Sequence, residues 1–472
     1  MAESYDAIVV GAGLAGLSAA FELSERRLKL LVVEAAGQVG GRTSNWKEGG
    51  MDVESGVHKF VGVYKELPRL LRRAGLDLRQ VFVYQDEIEI RVAEGGTRNA
   101  DPQRRRRSGR FGMSVLHRPL LTIAGALGNG ELLPWSDKWG LVRVFAAGIR
   151  DHLRDPEALD RVTLADYARR HGASANLVDT VLYALSGGLF FLPPERYSAG
   201  AFFSLAWESA KRFYASRLAI FRGGMTDVMA APLADAISRR GGKVLLATPA
   251  ERILFADGKV SGVRAGGLEY RAPRVVLATP IAPAQKLVSA SFGYSPPPDT
   301  ELRKLASLPD MSGVAVQLEL DRPALPDDHA IFGPNSILGT FAEQSHTTFS
   351  ASRGRISTFL SPSEPFMAMK DDEVVGAVVS DLKRQGVDVE GRVSRFAVVR
   401  HPSEFYLLEP GSEARRPRQR TTVPGLALAG DYTKQPFICS MEGAVVSGRL
   451  AAEALLDAGG RDGGGPPLSA RS

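Results

Sequence analysis

The chain has 472 residues, 44% hydrophobic and 24% charged, the proportions of a soluble globular protein with room for two or three lobes. Lysine and arginine total 59 against 53 aspartate and glutamate, and the resulting charge of +6 is too mild to single out an anionic partner. One cysteine, Cys439, excludes an intramolecular disulfide and a CxxC zinc site; the histidines show no HxxxH-type spacing, so no metal is expected.

Met1 to Asp6 is short and polar and reads as no signal peptide. No run of about 18 apolar residues predicts a spanning helix, which suits a cytoplasmic protein with at most a membrane-surface contact. Tyr5–Val10 predicts a strand, Leu14–Glu25 a helix and Leu28–Glu34 a second strand, the βαβ order of a parallel sheet. Gly11-Ala12-Gly13-Leu14-Ala15-Gly16 joins the first two. Gly11 permits the tight turn, Gly13 lets a pyrophosphate approach the backbone, and Gly16 lets helix and strand pack closely. The helix start at Leu14 and Ala15 offers free N–H groups to the phosphates. Glu34, followed by Ala35, stands where a carboxylate accepts from a ribose 2′-OH, which argues against NADP.

Gly40-Gly41-Arg42-Thr43 comes next and can bring backbone and a planar guanidinium to the same pyrophosphate. Val81–Tyr84 and Ile88–Val92 read as paired strands, and Arg104–Arg107 as a run in a polar loop ahead of an apolar stretch from Met113 to Leu127. That run is either solvated or a lipid-headgroup contact. With no aromatic interleaving, nucleic acid is not an expected partner. Residues 135–215 look largely helical. Strands follow at Lys243–Ala247, Arg252–Phe255, Lys259–Arg264, Arg274–Ala278, Gly313–Leu320, Phe396–Val399 and Leu426–Ala429, then a helix from Met441 to Leu456 and a Gly/Pro-rich tail.

The closing segment, Gly430-Asp431-Tyr432-Thr433-Lys434-Gln435 and then Ser440-Met441-Glu442-Gly443-Ala444, is the most specific signal. Asp431 can order the ribityl or phosphate groups of a flavin, and the helix at Met441 can direct its N-terminus at the ring. Together with Gly41-Arg42-Thr43 and Glu54-Ser55-Gly56-Val57-His58-Lys59-Phe60-Val61-Gly62, it resembles the flavin motifs of the phytoene and zeta-carotene desaturases, members of the flavin amine oxidase superfamily. His58 is a core histidine or the candidate flavin-side residue. Cys439 invites a covalent flavin link, against which a buried small residue is the preferred reading.

The resemblance covers 5–75, roughly 160–290 and 425–456. It implies an α/β fold in which a discontinuous Rossmann-type FAD-binding domain (1–75, 216–290 and 420–457) carries an inserted α+β substrate-binding domain (76–215 and 291–419), with a flexible tail at 458–472. It implies one non-covalent FAD, with the backbone at Ala250 along the adenine, and no assigned catalytic side chain. The implied substrate is lipophilic, entering from a membrane surface, and a quinone or oxygen takes the electrons. The implied reaction is desaturation of a carotenoid or other isoprenoid. An amine oxidase, an isoprenoid dehydroxylase or specialised-metabolite desaturase, and a non-enzymatic flavin or lipid carrier stay open. Residues 291–424 carry no recognisable motif. A lining for the substrate is therefore sought among Trp139, Phe145, Leu189, Phe190, Phe191, Phe202, Phe203 and Trp207, with more than half of these expected to be plain core.

Overall fold

A computed structural model describes residues 3–95, 106–113, 116–293 and 299–459. Arg104 and Arg105, and the expected tail beyond residue 459, lie outside them.

Short runs of Val, Ile, Leu and Ala give strands buried on both faces, as a parallel sheet covered by helices requires. These are β1 (Ala7–Val10), β2 (Leu30–Val33), β3 (Lys243–Leu245), β4 (Val275–Leu277) and β5 (Leu426–Leu428), all parallel, in the order β3-β2-β1-β4-β5. Between β1 and β2 the chain forms α1 (Leu14–Ser24), and after β5 it ends in α2 (Met441–Gly459). The two helices pack backbone to backbone: a Cβ on Gly448 would stand 2.1 Å from the Ala15 carbonyl oxygen, and Ser18 donates to the Val445 carbonyl at 2.8 Å. The last segment of the chain thus completes the layer begun by the first.

A second, seven-stranded sheet runs in the order 393–406, 310–320, 354–360, 338–343, 330–332, 87–92 and 107–112. It is antiparallel except where 330–332 meets 87–92. The helix Asp371–Arg384 lays Val374, Val378 and Leu382 against Val316, Phe341 and Ile356 of this sheet. Helices Trp135–Arg154 and Ala199–Ala210 interlock Phe145, Phe202 and Phe203 edge to face, and Gly148 admits the Phe203 ring.

Two expectations change. The strands near 81–92 do not pair with each other. Only Asp86 separates Phe82–Gln85 from Glu87–Val92, too little for even a two-residue hairpin. The first instead pairs with Leu218–Phe221 and the second with Arg107–Gly112. Arg107 is accordingly not a loop residue: it opens a strand and donates to the Glu131 carbonyl and to Asn176 Oδ1.

Candidate functional site

The turn after β1 is built for close approach. Gly11 has φ +102°, and a Cβ on Gly16 would lie 1.9 Å from the Gly11 carbonyl oxygen, so only glycine lets α1 begin this near the strand. No side chain caps α1, and its first turn carries no acid. Leu14 and Ala15 are buried behind the turn. Glu34 closes the loop from β2: its carboxylate accepts from the Ala12 N–H at 2.6 Å and the Ala36 N–H at 2.9 Å. The Thr248 N–H donates to the Glu34 carbonyl, which places the chain just ahead of Ala250 beside Glu34, with Ala35 exposed next to it.

The second motif is seated directly on this turn. Gly40 N–H donates to the Ala12 carbonyl at 2.9 Å, and a Cβ on Gly41 would come within 3.2 Å of the Gly13 Cα. Thr43 fixes the bend by donating to the Gly40 carbonyl. Arg42 is thereby aimed at Asp431, with Nη2 to Oδ1 at 2.5 Å. Burial opposes its charge, but Asp431 holds the guanidinium firmly protonated. Gly430, at φ +149°, turns the chain out of β5, and its N–H donates to Ser447 of α2. Met441 is buried at the start of α2. The Glu442 side chain serves as a helix cap: its carboxylate accepts from the N–H groups of Lys65, Glu66 and Leu67, at the head of the helix Glu66–Arg73.

Gly56, Val57 and His58 follow the strand Met51–Glu54 and face the seven-stranded sheet; the open side of Gly56 meets His58 and Phe359. His58 Nδ1 is buried without a hydrogen-bond partner among the described residues, and burial pushes the imidazole down to about 4, so it is neutral. Beside it, burial pushes Lys59 down to about 8, its Nζ donating to the Asp328 carbonyl. Burial likewise lifts Cys439 to about 12, leaving a thiol rather than a reactive thiolate.

Phe191, Phe359 and Phe405 form one aromatic wall next to these motifs. Phe191 stacks on Phe359 at 3.7 Å between centroids, Phe405 meets both edge-on, and the Arg42 guanidinium sits 5.2 Å from the Phe405 ring. Of the aromatics expected to line a substrate, only Phe191 is here; Phe190, Phe202 and Phe203 are core, and Trp139 is 62% exposed. Phe359 and Phe405 lie in the stretch without motifs, together with His401 and Glu404. The one signal in the sequence was Pro402 inside a strand-like run, a mark of irregularity.

An FAD fits what is present. The glycine cradle at Gly11, Gly13 and Gly41 leaves room for a pyrophosphate only while no Cβ fills it. Glu34 keeps free lone pairs for a ribose, and His58 offers an orphaned ring nitrogen. Among the described residues no cluster of His, Cys, Asp and Glu could hold a metal ion, and no helix is long and apolar enough to cross a membrane.

The family described as "Flavin containing amine oxidoreductase" matches residues 14–456. The 15-cis-phytoene desaturase of Solanum lycopersicum is 28% identical over 463 residues, covering 95% of this chain and 77% of its own. That of Synechococcus elongatus is 26% identical over 483 residues, covering 98% of each. Among solved structures, a double mutant of putrescine oxidase superposes with a TM-score of 0.73 at 18% identity over 96% of this chain and 99% of its own, a likeness of fold alone.

Proposed function

Since the chain belongs to the flavin-containing amine oxidoreductase family, and is thus an FAD-dependent oxidoreductase, we propose that it desaturates a carbon–carbon single bond of a carotenoid or related linear isoprenoid. The observation that carries this reading is the similarity to phytoene desaturases along nearly the whole chain, at 95% and 98% coverage. The wall of Phe191, Phe359 and Phe405 agrees with it, because an apolar polyene has no charged anchor and must be aligned by packing.

The residues that would hold FAD are those of the turn Gly11–Gly16, Glu34 with Ala35 and Ala250 at the ribose and adenine end, Gly41 to Thr43, Gly56 to His58, and Gly430, Asp431 and Met441. The cofactor supplies the hydride acceptor. Arg42 and Asp431 neutralise each other and order the groups around them; the phenylalanines exclude water; His58 stays neutral and can accept or donate one hydrogen bond. The discontinuous FAD domain and inserted substrate domain with the boundaries given above belong to the same proposal.

The substrate would enter from a lipid surface. Helix Pro119–Leu127 buries only Gly125, and Leu120 is 80% exposed; Ile123, Leu127, Trp135, Trp139 and Val142 are exposed near it, with Arg118 and Arg143. An exposed apolar patch with basic neighbours suits an anionic membrane. A quinone or oxygen would reoxidise the flavin.

One experiment tests both points. Flavin-loaded protein is mixed anaerobically with anionic liposomes carrying phytoene or zeta-carotene, with and without a quinone. The expected result is co-sedimentation, flavin bleaching, and, with quinone, a product two hydrogens lighter. If neither carotenoid bleaches the flavin while an amine does, the desaturase reading is wrong. If Leu120→Ser with Ile123→Ser leaves sedimentation unchanged, the helix 119–127 is not the contact.

A further inference from the structure

His401 and Glu404 are three residues apart on a strand, Val393–Tyr406, where alternation would send them to opposite faces. They meet nonetheless, Nδ1 to Oε2 at 3.1 Å. The cause is a bulge: Phe405 pairs with Met311 and His401 with Gly313, so three residues on one strand face one on the other. Pro402, which cannot donate to a ladder, lies inside it. Bulges of this kind re-aim side chains and recur beside active sites.

The hydrogen bonds of His401 impose a proton count. Nε2 lies 2.7 Å from the Ser55 carbonyl oxygen, which only accepts, so Nε2 carries a hydrogen. Nδ1 faces a carboxylate, and two bare acceptors do not bond. One further proton must lie between them: the pair is imidazolium with carboxylate, or imidazole with carboxylic acid. His401 is buried at 8% exposure, whereas Glu404 keeps 32%, and its Oε1 has no hydrogen-bond partner among the described residues.

This pair borders the site already described. Ser55 precedes Gly56, Phe405 of the aromatic wall follows Glu404, and the Arg42 guanidinium lies by the Phe405 ring. The other ionisable groups facing it are His58 from the 55–58 loop, Arg42 with its partner Asp431, and Cys439 from the closing segment. His58 is neutral, Arg42 and Asp431 are mutually paired, and Cys439 is a protonated thiol. Glu404 is therefore the one group of the set with a free carboxylate oxygen.

From this proton count and the bulge that brings the two groups together, we infer that Glu404, held by His401, is the base that takes the proton lost from the substrate. The inference rests on the desaturase reading. One C–H bond leaves with its electron pair as hydride, which reduces the flavin by two electrons. The neighbouring C–H bond breaks, its electrons form the second bond of C=C, and its proton goes to Oε1 of Glu404, then to solvent. His401 is a positioning residue: it fixes the carboxylate through Nδ1 and ties the bulge to the flavin-side loop through Ser55.

The test has two arms, on flavin-loaded full-length protein. In ¹⁵N-histidine NMR, the His401 signal is identified by its loss in His401→Asn. Both ring nitrogens are expected to titrate together with Glu404, and in Glu404→Gln the imidazole is expected to be neutral with a single N–H. A His401 that titrates alike in the two proteins overturns the shared proton whatever the substrate is. In the liposome assay, Glu404→Gln should retain its flavin and its KM, lose about 10²–10⁴-fold in kcat, and lose the acidic limb of the pH profile; Glu404→Asp should recover part of both. A wild-type enzyme that desaturates while Glu404→Gln keeps its rate and pH profile overturns the role of Glu404 alone. A wild-type enzyme inert toward both carotenoids overturns the desaturase reading, and this role with it.

Discussion

The nucleotide-binding end and the aromatic wall are built by opposite means. At Gly11, Gly13, Gly16, Gly40 and Gly41 the working surface is backbone, and what matters is the absence of side chains: a Cβ at Gly16 would fall 1.9 Å from a carbonyl oxygen. At Phe191, Phe359, Phe405, His401 and Glu404 the side chains are the surface, delivered by strands and a helix end far apart in sequence. The first region tolerates almost no added atom, because rigid backbone lies opposite. The second can exchange one side chain for another and keep the fold, so it is where specificity can diverge.

The hardest blow to that contrast should be Gly16→Ala. Overpacking against backbone costs about 3 kcal/mol or more, and the expected result is a lowered urea midpoint and a protein that purifies without flavin. A normal midpoint with one FAD per chain would show that the turn yields, and the contrast would lose its physical basis.

Glu34→Ala probes the one side chain that the backbone-built end relies on. Its carboxylate already orders the turn through Ala12 and Ala36. The expected loss in FAD affinity is about 1.5–3 kcal/mol by fluorescence titration, with the fold retained when FAD is in excess. An unchanged affinity would reduce Glu34 to a turn-ordering residue.

Glu54 lies on the seam between the two regions. Its backbone exchanges hydrogen bonds with Gln317, its carboxyl accepts from Gln344, and Arg355 joins the same network through Gln317. Burial raises its carboxyl from an ordinary 4.5 to about 7. The folded state therefore keeps a proton that the unfolded chain releases. The associated stability is full below about pH 4.5 and is lost as pH rises to about 7, at up to roughly 1.4 kcal/mol per pH unit. Glu54→Gln should flatten that slope in urea melts taken from pH 5 to 7.5; an unaltered slope would locate the titration elsewhere.

The smallest effect is expected from Phe405→Leu. Losing one edge-on aromatic contact costs about 0.5–1.5 kcal/mol. Flavin content should not change, while KM for a polyene rises. Loss of flavin here would show that the wall also holds the cofactor, and the two regions would be one.

The motifs of the nucleotide end were legible because each is contiguous and states a backbone requirement that few residues meet. Gly11 to Gly16 after an apolar strand, Arg42 behind two glycines, and Asp431 at the end of β5 all announce themselves within a few positions. The Glu442 side chain was less legible. Its motif drew attention to the flavin, whereas its carboxylate caps a helix that begins at Glu66, and nothing near position 442 names that partner. The aromatics of 135–215 misled in the other direction: Phe, Leu and Trp at helical spacing look the same whether they fill a core or line a cavity.

By itself, then, the sequence determined the parallel sheet, the phosphate turn and the family. Each depends on local backbone geometry, and local geometry follows from glycine positions and apolar runs. Only the tertiary structure decided which aromatic rings meet, that Arg42 faces Asp431, and that His401 shares a proton with Glu404. Those pairings arise from sheet order and from a bulge of three residues against one. Register between distant strands is fixed by the packing of the whole core, and no window of neighbouring residues contains it.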